Sequence, residues 1–214
     1  KSKRRRQPIK SSSKQKQQSA AQLAVKKPAK AKPVQAAAAW QRWLIKSEPE
    51  SRIEANGEEM KFSLDDLRQQ PDGTAVWDGV RNYQARNFLR DSMQPGHLAF
   101  FYHSNCKQPG IVGISRIVSR GYPDPTQFEP GRAHFDAASQ PSNPRWFAVD
   151  VKFESELPRP LPLAELRELH LAHKQSGGPL RNLALCTCPR LSVQPVSDEE
   201  WRFLTQLAGV PEKD

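Results

Sequence analysis

The sequence predicts an α+β fold: a small, mostly antiparallel β-barrel or curved sheet with short helices packed around it. Three observations carry this. Residues 146–153 alternate cleanly, with Phe147, Val149, Val151 and Phe153 on one side and Trp146, Ala148, Asp150 and Lys152 on the other. Two compact apolar runs, 98–102 and 111–118, flank a polar loop with the spacing of a hairpin. Short segments with helix caps lie between the strand-like runs rather than after them all. Five or six strands and about four short helices result, with no internal repeat.

Taken in order, the first strand covers 40–46 (WQRWLIK), and Pro49 keeps Glu48 extended after it. Ser63 is an N-cap for a short helix that runs to about Gln70 and stops at the Pro71-Asp72-Gly73 turn. Asp78-Gly79 makes a tight turn after Trp77, and Asn82 caps a helix whose apolar stripe is Ala85, Phe88, Leu89 and Met93. Asn82, Arg86 and Arg90 line a different face. Pro95-Gly96 breaks the chain before the hairpin strands. Residues 121–145 hold five prolines and little periodicity, a long loop of the functional or lid kind. Helical spacing returns over 163–171, Gly177-Gly178-Pro179 turns the chain, and 192–196 forms a last strand. Ser197 and Glu200 form a capping box for a final helix that buries Trp201, Leu204 and Leu207 or Ala208 and stops at Gly209.

Charge divides the chain. Residues 1–39 contain twelve Lys and Arg and no acid, while the remainder has 21 basic against 23 acidic residues. The domain boundaries are therefore a disordered basic tail (1–39), a folded domain (40–209) and a short C-terminal tail (210–214). Lys3, Arg4, Arg5 and Arg6 form a cluster of the nuclear-localisation or nucleic-acid-contact type. The neutral domain has no general electrostatic grip on nucleic acid; the tail or a local patch would have to supply it. Cys106, Cys186 and Cys188 are too few for a disulfide scaffold and fit a reduced compartment. No apolar run reaches membrane-spanning length and no signal-peptide core is visible, so no membrane partner is expected.

Metal and nucleophile chemistry find little support. His170, His173, Cys186 and Cys188 are the zinc candidates, but a one-residue gap between the cysteines is unusual. His103-Ser104 with Asp78, Glu48 or Asp124 is the nucleophile candidate, yet adjacent side chains in a strand-end loop point apart. Cys106 beside Lys107 lacks any base. Walker and dinucleotide glycine patterns are absent, and no cofactor is expected.

A binding pocket fits the residues better. Lys46, Ser47 and Glu48 leave the first strand; Trp77 precedes a helix start that carries Arg81, Asn82 and Arg86; Ser104, Asn105 and Lys107 occupy the hairpin loop. Aromatic walls with a few convergent donors and acceptors suit a flat heterocycle. For Trp77 the plain alternative is a core indole beside a solvated arginine face, which stands equal on the sequence alone. Trp146, on the polar side of its strand, is covered either by the long loop or by a ligand.

These residues also carry a resemblance. Trp43, Lys46, Ser47, Glu48 and Pro49, then Trp77 through Phe88, then Phe101 through Asn105, closely resemble the EVE domain, over about 40–207. The match includes Gly110-Ile111, Asp124, Thr126, Gln127 and Phe128, Ala172-His173-Lys174, and Gly177 to Leu180. The resemblance implies a PUA-like fold related to the YTH readers. It implies a non-catalytic, monomeric nuclear protein that binds modified bases, notably 5-methylcytosine-derived ones such as 5-hydroxymethylcytosine, in DNA or in RNA. In that reading a flipped base stacks on Trp77 or Trp146, with Lys46, Ser47, Glu48, Asn82, Ser104 and Asn105 around it. Arg81, Arg86, Lys107 and the tail then hold phosphates. An enzyme acting on a base or nucleotide, and a sequence-independent binder driven by the tail, are the competing readings.

Overall fold

The computed structural model describes residues 40–211. The strands are β1 (Arg42–Ser47), β2 (Arg52–Ile53), β3 (Glu59–Met60), β4 (Thr74–Trp77), β5 (Leu98–His103), β6 (Gly110–Ile117), β7 (Tyr122–Pro123), β8 (Phe147–Pro162) and β9 (Val193–Val196). The helices are α1 (Leu64–Gln69), α2 (Tyr83–Asn87), α3 (Leu163–Ser176), α4 (Ala184–Thr187) and α5 (Asp198–Leu207). One mixed sheet runs in the order β4-β8-β6-β5-β1-β9, with β7 added on β8, while β2 and β3 form a separate small hairpin. β5 and β6 pair antiparallel as the hairpin spacing requires.

The α+β class holds, but the expected barrel does not close: β4 and β9 end the sheet and do not pair with each other. The physical reason lies in the two central strands. Trp43 and Ile45 of β1 and Ala99 and Phe101 of β5 enter one apolar cluster, with Leu64 of α1 and Leu89 just after α2. Leu44, Phe100 and Tyr102, their immediate neighbours, enter a second cluster with Leu166 of α3 and Trp201 of α5. Successive side chains in a strand point to opposite faces, so both faces of this sheet are buried under helices. That is why β1 and β5 carry continuous apolar runs instead of alternating ones.

β1 and β5 pair in parallel, with Lys46 opposite Tyr102 and Ser47 opposite His103. Their carboxyl ends therefore leave the sheet side by side. Ser104 N–H and its hydroxyl both donate to Ser47 O, at 2.7 and 2.9 Å, and lock the two exits together. Open sheets bind ligands at such carboxyl ends.

The helix caps follow the sequence. Ser63 and Asp66 form a reciprocal capping box on α1, and Ser197 and Glu200 form another on α5. Asn82 Oδ1 accepts from Gln84 N and Ala85 N at 2.9 and 3.1 Å and starts α2. The stripe that follows buries Ala85, Leu89 and Met93 completely, although residues Phe88–Ser92 widen to a π-helical turn. α3 runs to Ser176 and ends on left-handed Gly177.

Three features exceed the sequence reading. β4 is a four-residue edge strand between the two expected turns, over residues the sequence reading leaves unassigned, and β2 and β3 are too short to show periodicity. β8 continues nine residues beyond Phe153, through Pro158 and Pro160. Its register against β6 jumps from Glu156 opposite Gly113 to Leu161 opposite Ile111. The prolines fall inside that jump, where no ladder N–H is required of them.

Gly113 marks a close approach of α1 to this sheet: a Cβ there would lie 2.4 Å from Leu64 Cδ2 and 2.8 Å from the Ser155 carbonyl oxygen. Gly113→Ala should therefore cost about 2–3 kcal/mol, because the backbone oxygen cannot step aside. Urea denaturation measures this; an unchanged midpoint would mean the strand relaxes freely.

Candidate nucleic-acid interface

A cleft of about 400 Å³ opens at the carboxyl end of β1. Pockets for small ligands typically span ~300–1,000 Å³. Trp77, at the end of β4, forms part of its lining and is 7% exposed. Its ring is fixed edge-on by Phe62 and Phe101, with centroids 6.2 and 5.6 Å away. Trp77 is thus both core and cleft wall, so the two sequence readings of it describe one residue.

Ser47 faces the same cleft. Its hydroxyl is buried and has no hydrogen-bond partner among the described residues. A buried hydroxyl left unpaired costs about 1–3 kcal/mol, so such groups are rare unless a ligand completes them.

The outer wall comes from the β2–β3 hairpin and the 121–145 loop, clasped together. Glu58 Oε1 accepts from Arg132 Nε at 2.8 Å and Glu58 Oε2 from Ala133 N at 2.7 Å. Asn56 Nδ2 donates to Gly131 O at 2.7 Å. The long loop is irregular but tied at both ends. Gln127, fully buried, accepts from Arg145 N and Trp146 N and donates to Asp124 O and Trp146 O.

Asp124 joins that loop to the turn after Trp77. Its fully buried carboxylate accepts from Gly79 N at 3.0 Å, Arg81 Nη1 at 2.8 Å, Thr126 N at 2.8 Å and Thr126 Oγ1 at 2.6 Å. Arg81 also donates to Thr126 Oγ1 and, through Nε at 3.0 Å, to His134 O. Gly79 adopts φ +70°, and a Cβ on it would strike the His134 ring at 2.4 Å. The turn is therefore shaped to receive that imidazole, which stands in the cleft wall.

Titration follows from this packing. Burial alone would raise the Asp124 carboxyl, but hydrogen bonds from Thr126, Arg81 and Gly79 N–H outweigh it and hold it below the ordinary value. Asp78, lining the cleft, is pushed up by burial and by neighbouring Asp124, against His134, Arg132 and Arg81. His134 is pushed down by burial and by Arg81, although Asp78, Asp124 and Glu58 oppose this. A downward shift leaves its ring neutral at pH 7, able to donate at one nitrogen and accept at the other.

The structure brings together four of the residues expected at the pocket: Lys46, Ser47, Glu48 and Trp77. Ser104 lies in an adjoining cleft with Lys46 and Glu48, its hydroxyl engaged by Ser47 O. Asn105 sits at the rim, donating to Glu48 Oε2 at 3.1 Å, and Lys107 is anchored beside it through its backbone to Glu50. Asn82, Arg81, Arg86 and Trp146 do not line the cleft. Asn82 caps α2. Arg81 is the partner of Asp124. Arg86 lies over the Tyr83 ring and bonds Arg145 O and Asn87 Oδ1. Trp146 is covered by protein: Tyr83 stacks on it at 4.9 Å and Asp136 of the long loop accepts its indole N–H at 2.6 Å. Lys3, Arg4, Arg5 and Arg6 lie outside the described residues.

Phe62, Asp78, Arg132 and His134 line the cleft and were not picked out as pocket residues from the sequence. Asp78 adjoins Trp77, and the long loop carries the other two polar groups, so the loop's length was the available signal. Of the zinc candidates the two histidines are otherwise engaged: His170 Nδ1 contacts Leu180 O and His173 Nδ1 accepts from Leu180 N. Among the described residues no group of three or more metal-ligating side chains converges. His103 Nε2 accepts from Leu64 N at 3.1 Å, facing α1 rather than Ser104.

The open mixed sheet, its rim helices and a cleft at strand ends define a PUA-like binding domain. Residues 41–207 match the EVE domain model, and the chain belongs to the EVE domain family. It is 56% identical over 165 residues to thymocyte nuclear protein 1 of Homo sapiens, covering 77% of this chain and 72% of that protein. The crystal structure of the DUF55 domain of human thymocyte nuclear protein 1 is similar, with a TM-score of 0.76 and 55% identity, over 79% of this chain and 99% of that one. The structure of human THYN1 protein in complex with 5-methylcytosine-containing DNA is similar to the same degree, with a TM-score of 0.76 and 55% identity, over 80% and 99% of the two chains.

Arg81→Ala would strand Asp124 as a buried, unpaired charge, at a cost of about 3 kcal/mol at pH 7. In the intact protein the depressed Asp124 pKa contributes stability above about pH 4 and loses it as pH falls through the folded value. The variant lacks the arginine that holds this pKa down, so Asp124 protonates at higher pH and the deficit narrows between pH 7 and 4. Denaturant titrations across that range would expose a constant deficit if the network were not electrostatic.

Proposed function

We propose that this protein is a non-catalytic reader of modified bases in DNA, holding one extruded base in the cleft beside Ser47 and Trp77. The observation that carries this reading is the unpaired, buried Ser47 hydroxyl beside a fixed indole. Support also comes from the relative whose structure contains 5-methylcytosine DNA. The cleft is walled by the β2–β3 hairpin and the long loop, so it suits a single flipped base rather than a paired one. Ser47 donates to or accepts from the base edge. Asp78 is placed to accept from an exocyclic amine, the pairing that acidic side chains make with cytosine. Phe62 and Trp77 supply apolar contact for a 5-substituent, whether methyl or hydroxymethyl. The basic tail adds phosphate attraction without selectivity. The nuclear name of the human relative and the Lys3–Arg6 cluster support a nuclear site of action.

Ser47→Ala separates this function from folding. The substitution removes an unsatisfied hydroxyl, so the melting temperature should hold or rise. Affinity for a duplex containing 5-methylcytosine should fall about tenfold, the worth of one hydrogen bond. Unchanged affinity, read by fluorescence anisotropy with the full chain, would rule out this cleft. Deleting residues 1–39 should weaken modified and unmodified duplexes alike and keep their ratio. Recovery of every nucleoside unaltered after long incubation is the outcome expected of a reader; turnover would mark an enzyme.

A further inference from the structure

A second cleft, of about 350 Å³, adjoins the first and shares Lys46, Glu48 and Ser192 with it. Its charge balance is different: the first cleft has four cationic and four acidic lining side chains. Three cationic side chains line the second: Lys46, Arg167 and Arg190. Glu48 is the single carboxylate there, and it already accepts from Arg52 Nε at 2.8 Å and from Asn105. The local balance is positive although residues 40–214 together carry more acid than base.

Two further observations point to a missing ligand. Nine arginines among the described residues pair with carboxylates, but Arg167 and Arg190 make neither an ion pair nor a hydrogen bond with the described residues. Tyr102 is 3% exposed and lines this cleft, yet its hydroxyl has no hydrogen-bond partner among them. That hydroxyl keeps contact with the solvent of the cleft, so it is free to meet a ligand there. Burial pushes its pKa up to about 12, so it stays protonated and can donate. Lys46 Nζ uses one of its donors on Pro189 O at 2.9 Å and keeps two.

We infer that the second cleft holds a backbone phosphate of the strand whose base occupies the first. Arg167 and Arg190 supply guanidinium donors, Tyr102 a neutral donor, and Lys46 a point charge at the shared wall. The assignment of a nucleic-acid strand rests on the base-reading proposal above. It also moves the phosphate grip away from Arg81 and Arg86, which are tied into the fold.

The test uses the full chain, an Arg167→Ala/Arg190→Ala double variant, and Tyr102→Phe. Both arginines are surface residues, and equal melting temperatures will show that the fold survives. Affinities are measured across a salt series for duplexes with and without 5-methylcytosine. The double variant should bind both duplexes more weakly by a common factor of roughly ten, with the slope of log K against log salt reduced by about 1. Tyr102→Phe should weaken binding without changing the slope. Unaltered affinity and slope in the double variant would overturn the inference. So would loss of 2′-deoxycytidine 5′-monophosphate binding with oligonucleotide binding intact, since the phosphate would then belong to a free nucleotide. If the wild type fails to distinguish the two duplexes, base reading falls, whereas a reduced slope in the double variant would still uphold the phosphate cleft.

Discussion

The carboxylate of Asp124 has no solvent contact and takes four hydrogen bonds, from Gly79 N, Arg81 and two groups of Thr126. A charge buried this deeply is tolerated only when its partners stay in place. That requirement binds two segments 43 residues apart: the turn after Trp77 and the start of the long loop. Everything on the outer side of the cleft depends on the junction. It sets the φ +70° turn at Gly79, seats His134 against that glycine, and brings Arg132 within reach of Glu58 on the hairpin. The loop has almost no regular structure, yet Gln127 and Asp124 give its backbone the bonds a sheet would have supplied.

This constraint also explains how the arginines divide. Arg81 and Arg145 stabilise the loop: Arg81 with Asp124, Arg145 with Asp136 beside the covered Trp146. Neither lines the first cleft, which combines an aromatic wall with basic and acidic side chains in equal number: Lys46, Arg52, Lys61 and Arg132 against Glu48, Glu58, Glu59 and Asp78. The unpaired guanidiniums of Arg167 and Arg190 line the neighbouring cleft. Base-like and phosphate-like chemistry thus occupy adjoining spaces divided by Lys46, Glu48 and Ser192. The parallel pairing of β1 and β5 makes that adjacency possible, because both strands deliver their exits to the same end of the sheet.

Much of the fold was legible in the residues. Caps at Ser63, Asn82 and Ser197 and the strands over β1, β5, β6 and β9 depend on neighbours within a few positions, and those signals held. Barrel closure failed because a continuous apolar run such as that of β5 is equally the mark of a strand buried on both faces. The extension of β8 was hidden by prolines that register jumps accommodate. At the site, the Lys46-Ser47-Glu48 exit and Trp77 were visible because each stands in a distinctive local motif.

The sequence by itself determined the elements, the family motifs and the uneven placement of charge, since these are local or compositional properties. Only the tertiary structure decided which donors face the cleft and which are engaged within the fold. Arg81 and Arg167 are the same residue type, and both are plausible phosphate ligands on paper. What separates them is whether a carboxylate from a distant segment packs against the guanidinium, and long-range packing sets that rather than spacing along the chain.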